Sequence, residues 1–167
     1  MRAHGNTPGP TQRPLLTGAL SGLIAFVPYE IILDLSGARD AIVHGFGINP
    51  WMSAGIRVGE MILAGLLYAA VFKRAANDFN GGWLFGASFG FLLWLVTPIT
   101  IWQLVADQPI VVGRAAMGVF GAYVLFGVAL GFIFPWIHTL TKARLNNAVT
   151  GIKGDRSILA RKRRMIE

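Results

Sequence analysis

Three charged residues lie deep inside long apolar stretches of this 167-residue sequence, where an isolated charge is costly. Glu30 lies in the first stretch, and Arg57 and Glu60 lie in the second. At 1.5 Å per helical residue, Glu30 lies roughly 7 Å from the end of the first stretch and Arg57 roughly 9 Å from the start of the second. Both of these ends lie on the same side of the predicted membrane. Glu60 follows Arg57 by three residues and therefore shares its helix face. We predict an ion pair between Glu30 and Arg57.

Two further charges, Asp34 and Arg114, lie nearer the ends of apolar stretches. We predict that Arg114 pairs with Asp107 or with Asp34. Two interpretations of the charged set remain open: a structural ion network that fixes helix register, and a proton, ion or substrate site. A contact with a partner subunit is a third. Only Glu60 lies close to the midplane, where transporters carry their polar groups, and this favours the structural interpretation.

Other patterns that would carry chemistry are absent from the sequence. It has no cysteine, which excludes disulfides, thiolate metal sites, Fe–S clusters and attached c-type haem. His44 and His138 fall on opposite sides of the predicted membrane, so they cannot form a bis-histidine haem site. GxSxG, HExxH and Walker A motifs are also missing. We therefore expect no cofactor, no metal site and no enzymatic activity.

The composition indicates which elements must position these charges. Hydrophobic residues make up 54% of the chain and charged residues only 14%, against roughly 25% charged in soluble domains. Four apolar stretches, at about 15–35, 51–72, 83–105 and 110–138, each reach the roughly 20 residues that a helix needs to cross a bilayer. They lack the alternation typical of strands. We predict an all-α membrane protein: a polar arm (1–14), a four-transmembrane-helix bundle (15–140) and a basic tail (141–167).

The distribution of basic residues predicts the orientation in the membrane. Twelve of the 15 Lys and Arg residues lie in the arm, in the tail and between the second and third stretches. By the positive-inside rule, both termini are cytoplasmic, and we expect a bacterial inner membrane. The basic run Arg161, Lys162, Arg163 and Arg164 is predicted to dock on anionic lipid or on a soluble partner. One basic run without a recognition fold does not indicate nucleic-acid binding.

Glycines four residues apart occur in every apolar stretch. Such pairs let helix backbones approach closely in a membrane, so they are predicted packing positions: Gly18, Gly22, Gly55, Gly59, Gly82, Gly86, Gly90, Gly127 and Gly131. The first and third stretches each place a proline, Pro28 or Pro98, after their glycine pair, and both prolines are predicted to kink their helices. The repetition indicates two tandem helical hairpins of the same orientation. Coincidence among glycine-rich helices is the alternative.

Three segments carry a resemblance. Gly-Ala-Leu-Ser-Gly at 18–22, Pro-Tyr-Glu at 28–30 and Arg-Ala-Ala-Asn-Asp-Phe-Asn-Gly-Gly-Trp-Leu-Phe-Gly at 74–86 resemble small four-span bacterial inner-membrane proteins of unknown function. The resemblance covers about residues 15–140. It implies a four-helix membrane bundle, and it implies no activity and no site residues.

Two classes of function follow from these patterns. The first is a non-catalytic accessory or assembly subunit of a larger membrane complex, for example a respiratory or other electron-transfer enzyme. Its partners would be membrane lipids and other membrane subunits or a second copy of the chain. The alternative is a small transporter or channel that uses the polar cluster of Glu30, Arg57 and Glu60. A membrane enzyme acting on lipid is a third class.

Overall fold

The computed structural model describes residues 14–72, 76, 81–106 and 113–164, and its main elements are all helices. They are α1 (Pro14–Ser36), α2 (Ala38–Phe46), α3 (Pro50–Phe72), α4 (Gly82–Trp94), a π-helix (Leu95–Trp102), α5 (Gln103–Ala106) and α6 (Gly113–Arg164). Four segments are long and apolar enough to cross a membrane: Pro14–Ser36, Pro50–Phe72, Gly82–Val105 and Gly113–Leu140. The prediction of an all-α protein with four candidate membrane spans is confirmed.

Neighbouring spans run antiparallel, so the bundle has two distinct ends. α1 begins at one of them, called here the terminal end. The other, called the α2 end, carries the two-turn helix α2 in a connection for which the sequence had predicted no helix. Gly37 and Gly47 flank α2 with φ angles of 71° and 61°, in the left-handed region that glycine adopts readily. Ala38 and Ile42, four residues apart, are buried against the bundle.

Glycines bring the spans together in two pairs. Gly18 and Gly22 of α1 face Gly65 of α3, while Gly86 and Gly90 of α4 face Gly127 of α6. A Cβ atom added at any of these six positions would fall within 3.0 Å of a backbone oxygen on the facing helix. Gly82 and Gly131 form a further such contact between α4 and α6. The two pairs then meet along α1 and α6, where Tyr29 packs edge-on against Tyr123.

Gly55 and Gly59 do not pack as the sequence predicted. Both lie on the exposed side of α3, and no atom of the described residues lies within 4 Å of a Cβ added at either. The buried face of α3 instead carries Gly65, together with Arg57 and Met61. The reason is rotation about the helix axis, because a four-residue spacing does not tell which face points into the bundle.

The two prolines have different effects. Pro28 lies within α1, which continues as an α-helix to Ser36. Pro98 lies in the eight-residue π-helix, where the wider turns interrupt the α-helical hydrogen bonds of the third span. The hydroxyl of Thr100 donates to the carbonyl oxygen of Leu95 at 3.0 Å, five residues earlier. Short π segments in membrane and soluble helices are frequent at functional sites.

The last helix continues past its candidate span, Gly113–Leu140. α6 continues without interruption to Arg164, so the predicted tail is, over residues 141–164, an extension of this helix. The basic run at 161–164 forms its last turn. The arm at 1–13, Asp107 and residues 165–167 lie outside the described residues.

Candidate functional site

A network of four charged residues joins α1, α2 and α3 at the α2 end. The Nε of Arg57 donates to Glu30 Oε1 at 2.6 Å. Arg39 of α2 donates through Nη2 to Glu30 Oε2 at 3.0 Å, and its Nη1 lies 3.0 Å from Asp34 Oδ1. Glu30 therefore accepts hydrogen bonds from two guanidinium groups on two other helices.

The network is graded in burial from the core outward. The side chain of Arg57 is 3% exposed, that of Glu30 15% and that of Arg39 43%. Arg57 also donates through Nη1 to the hydroxyl of Ser53, one turn earlier on α3. Hydrogen bonding to Glu30 raises the pKa of the Arg39 guanidinium above its usual value. Two cations and two anions balance, which is the arrangement that a poorly solvated ion network requires.

The structure places Arg114 apart from this network. It lies exposed in the first turn of α6. Asp34, one of its two predicted partners, is bound by Arg39, and the other, Asp107, lies outside the described residues. Arg39, the basic residue of the connection between the first two spans, is a member of the network that the sequence analysis did not identify. Its isolation there among apolar and acidic residues was the available signal.

Glu60 lies deeper than the network and has partners of a different kind. The hydroxyl of Tyr123 on α6 donates to Glu60 Oε1 at 2.5 Å. The hydroxyl of Thr97, in the π-helix, also faces this carboxyl group. The ion pairs in the described part of the chain involve Glu30 and Asp34, and none of them includes Glu60. The cluster predicted from the sequence is therefore two units, a balanced network and a separate carboxyl group.

A partly open cavity of about 370 Å³ lies beside Glu60, between α2, α3 and the π-helix. Its polar lining consists of Ser53, Arg57, Glu60 and Thr97. Its apolar lining consists of Ile42, Phe46, Ile48, Ile56, Ile101, Trp102 and Val105. Glu60 is ten residues into α3, about 15 Å along the axis, so it lies near the middle of this 23-residue candidate span.

Aromatic residues fill the space between α3 and the third span on the side toward the terminal end. Tyr68 of α3 contacts Phe89 of α4 with ring centroids 5.3 Å apart, and Phe72 contacts Phe85 at 5.8 Å. The hydroxyl of Tyr68 also donates to the carbonyl oxygen of Gly82 at 3.3 Å. The cavity thus extends from the α2 end to mid-depth, and packed rings lie beyond it.

This geometry suits binding better than bond-making chemistry. Glu60 can accept a hydrogen bond, exchange a proton or balance a cation, while Thr97 and Tyr123 orient its carboxyl group. The apolar walls shape the space for a guest that carries few polar atoms. Comparisons of the chain with protein-family models, with curated proteins and with solved structures find no match.

Proposed function

We propose that this chain is a small, non-catalytic membrane transporter whose binding site is the cavity beside Glu60. The observation that carries the proposal is the position of Glu60, near mid-depth in a cavity and without a basic partner among the described residues. A purely structural network accounts for Glu30, Arg57, Arg39 and Asp34, but it leaves this carboxyl group without a role.

The third span provides independent support. Secondary transporters commonly place their sites at interrupted helices near the midplane. Here the interruption is the π-helix, and Thr97 within it faces the cavity and Glu60. The aromatic contacts between Tyr68, Phe89 and Phe72 provide a barrier on the far side, as access from one side at a time requires.

We expect Glu60→Gln to abolish flux while leaving the fold intact. Glutamine keeps the acceptor for the Tyr123 hydroxyl but cannot carry the charge or exchange a proton. Proteoliposomes are tested for uptake of protons, alkali cations, and anionic, neutral and cationic organic solutes. At least one flux above that of protein-free liposomes is expected for the wild type, and it should be lost in the variant.

The matched control is Asp40→Asn, which removes an exposed carboxylate from α2, outside the cavity. It should retain the wild-type flux. The elution profile in size-exclusion chromatography and the helical signal in circular dichroism establish that each variant is folded. If folded wild-type protein moves none of these solutes, or if Glu60→Gln transports as well as the wild type, the transport proposal is wrong.

A second candidate function is an accessory or assembly subunit of a larger inner-membrane complex, such as a respiratory enzyme. The extension of α6 supports it: about 24 residues beyond Leu140 continue as helix to Arg164, a length of about 36 Å. Eight Lys and Arg residues lie on it in the sequence. A basic helix that continues from a membrane bundle suits docking on an acidic partner or on anionic lipid headgroups.

Purification in mild detergent distinguishes the two candidates. If the chain is an accessory subunit, it should co-purify stoichiometrically with a larger complex identified by mass spectrometry. Truncation after Leu140 should release it, because the docking helix is removed. A lone monomer or dimer from the native membrane would contradict the accessory role and agrees with the transporter.

We further propose that the protein belongs to the bacterial inner membrane and that the terminal end of the bundle is cytoplasmic. The excess of basic residues on that side supports this orientation. We also propose two tandem hairpins. In their support, Gly22 faces the carbonyl of Met61 across the first hairpin just as Gly90 faces that of Tyr123 across the second. The resemblance to small four-span bacterial proteins agrees with this proposal.

A further inference from the structure

We propose that the cavity binds a small organic cation with an apolar body, an ammonium ion held by the Glu60 carboxylate and by aromatic rings. The inference rests on the proposed function and names the substrate class of the same site. It is carried by the charge balance of the cavity, by the composition of its walls and by its volume.

The charge balance comes first. Arg57 and Glu60 are the charged residues that line the cavity. Arg57 is already neutralised by Glu30 Oε1 at 2.6 Å. Glu60 accepts a hydrogen bond from the Tyr123 hydroxyl, which does not cancel its charge, and the ion pairs of the described residues do not include it. Arg57, its partner Glu30 and Glu60 together therefore carry one net negative charge when Glu60 is ionised. A cationic guest restores neutrality.

The walls determine what kind of cation fits. Phe46 and Trp102 lie against each other in the lining, with ring centroids 5.8 Å apart and an interplanar angle of 83°. Aromatic rings attract ammonium groups through cation–π interactions, most strongly where water is excluded. Among the lining side chains, oxygen atoms come only from Ser53, Glu60 and Thr97, fewer groups than the roughly six to eight oxygen ligands that Ca²⁺ takes. An alkylated or aromatic ammonium ion fits both the aromatic and the aliphatic parts of the cavity wall.

The volume is consistent with one small guest. About 370 Å³ lies at the lower end of the range of roughly 300–1,000 Å³ for small-molecule sites. An anion would meet Glu60 without an available counter-charge, because Arg57 is held by Glu30 and Ser53. A neutral apolar guest would leave an ionised Glu60 uncompensated. The chemistry of the cavity therefore favours the cation over both.

The test is equilibrium binding of three water-soluble probes of similar size to the full chain in detergent, measured by isothermal titration calorimetry. The probes are benzyltrimethylammonium, neutral N-benzylacetamide and anionic phenylmethanesulfonate. We expect the cation to bind at least about tenfold more tightly than either of the others. Equal binding of the three probes, or none by the cation, would overturn the inference.

Variants then locate the site. Glu60→Gln should weaken cation binding at least about tenfold, and Asp40→Asn should leave it unchanged. Ile101→Trp fills the cavity while keeping Glu60, so it should also weaken binding. It keeps the assignment testable if Glu60→Gln fails to fold. Cation binding that persists in folded Glu60→Gln or Ile101→Trp protein would place the probe elsewhere and contradict the proposal.

Failure of this inference and failure of the transport function give different results. If a solute other than an organic cation shows Glu60-dependent flux and the cation does not bind, only the substrate class is wrong. If the cation binds at Glu60 but no solute crosses the membrane, the site is a binding site and transport is wrong.

Discussion

Replacement of Glu30 by glutamine is expected to lower the free energy of unfolding by about 3–5 kcal/mol, the usual cost of breaking a buried ion pair. The reason is Arg57, whose side chain is 3% exposed. Glutamine keeps an amide oxygen as an acceptor but carries no negative charge, so the buried guanidinium is left without a counter-charge. Arg39 would lose the same counter-charge but retains Asp34 and lies nearer to solvent. Chemical unfolding in detergent, followed by circular dichroism, measures the loss.

The geometry predicts an asymmetry between the two members of the pair. Arg57→Gln should cost less than Glu30→Gln, because Glu30 keeps its hydrogen bond from Arg39 at 3.0 Å. The double variant, Glu30→Gln with Arg57→Gln, should recover much of the stability lost in Glu30→Gln, since it also removes the buried cation that the single variant leaves without a counter-charge. A double-mutant cycle reads this coupling directly. Purely additive losses would contradict a structural ion network at these residues.

The second large effect is expected at the glycine contacts between spans. A leucine at Gly90 would drive its Cβ into the backbone oxygen of Tyr123, and one at Gly22 into that of Met61. Backbone atoms cannot move aside as a flexible side chain can, so the helices must separate. Overpacking of this kind typically costs about 1–3 kcal/mol, and we expect the upper part of that range. Thermal unfolding in detergent is the measurement.

Gly59→Leu is the matched control, because it makes the same change on α3 where a Cβ meets open space. Its stability should remain within about 0.5 kcal/mol of the wild type. If Gly90→Leu and Gly59→Leu melt at the same temperature as the wild type, the described crossing of α4 and α6 is wrong.

The sequence by itself determined what depends on position along a helix. The lengths and hydropathy of the apolar stretches determined the four candidate spans, since a helix of about 20 apolar residues crosses a bilayer core with all its backbone hydrogen bonds made within itself. The 1.5 Å rise placed Glu30 and Arg57 at similar depths, and the structure places them in contact. Glu60 was likewise expected near mid-depth, where the cavity now ends.

Only the tertiary structure decided what depends on rotation about a helix and on the identity of its neighbours. Gly65, and not Gly55 or Gly59, faces α1, because packing selects one face of α3. Glu60 and Arg57 share a helix, yet they have different partners. Glu30 binds the Arg57 guanidinium, whereas Tyr123 binds the Glu60 carboxyl group. The cavity lies between α2, α3 and the π-helix, on the α2 side of the contacts that Tyr68 and Phe72 make with α4. Such a space depends on how helices pack in three dimensions, and the spacing of residues within one helix does not contain it.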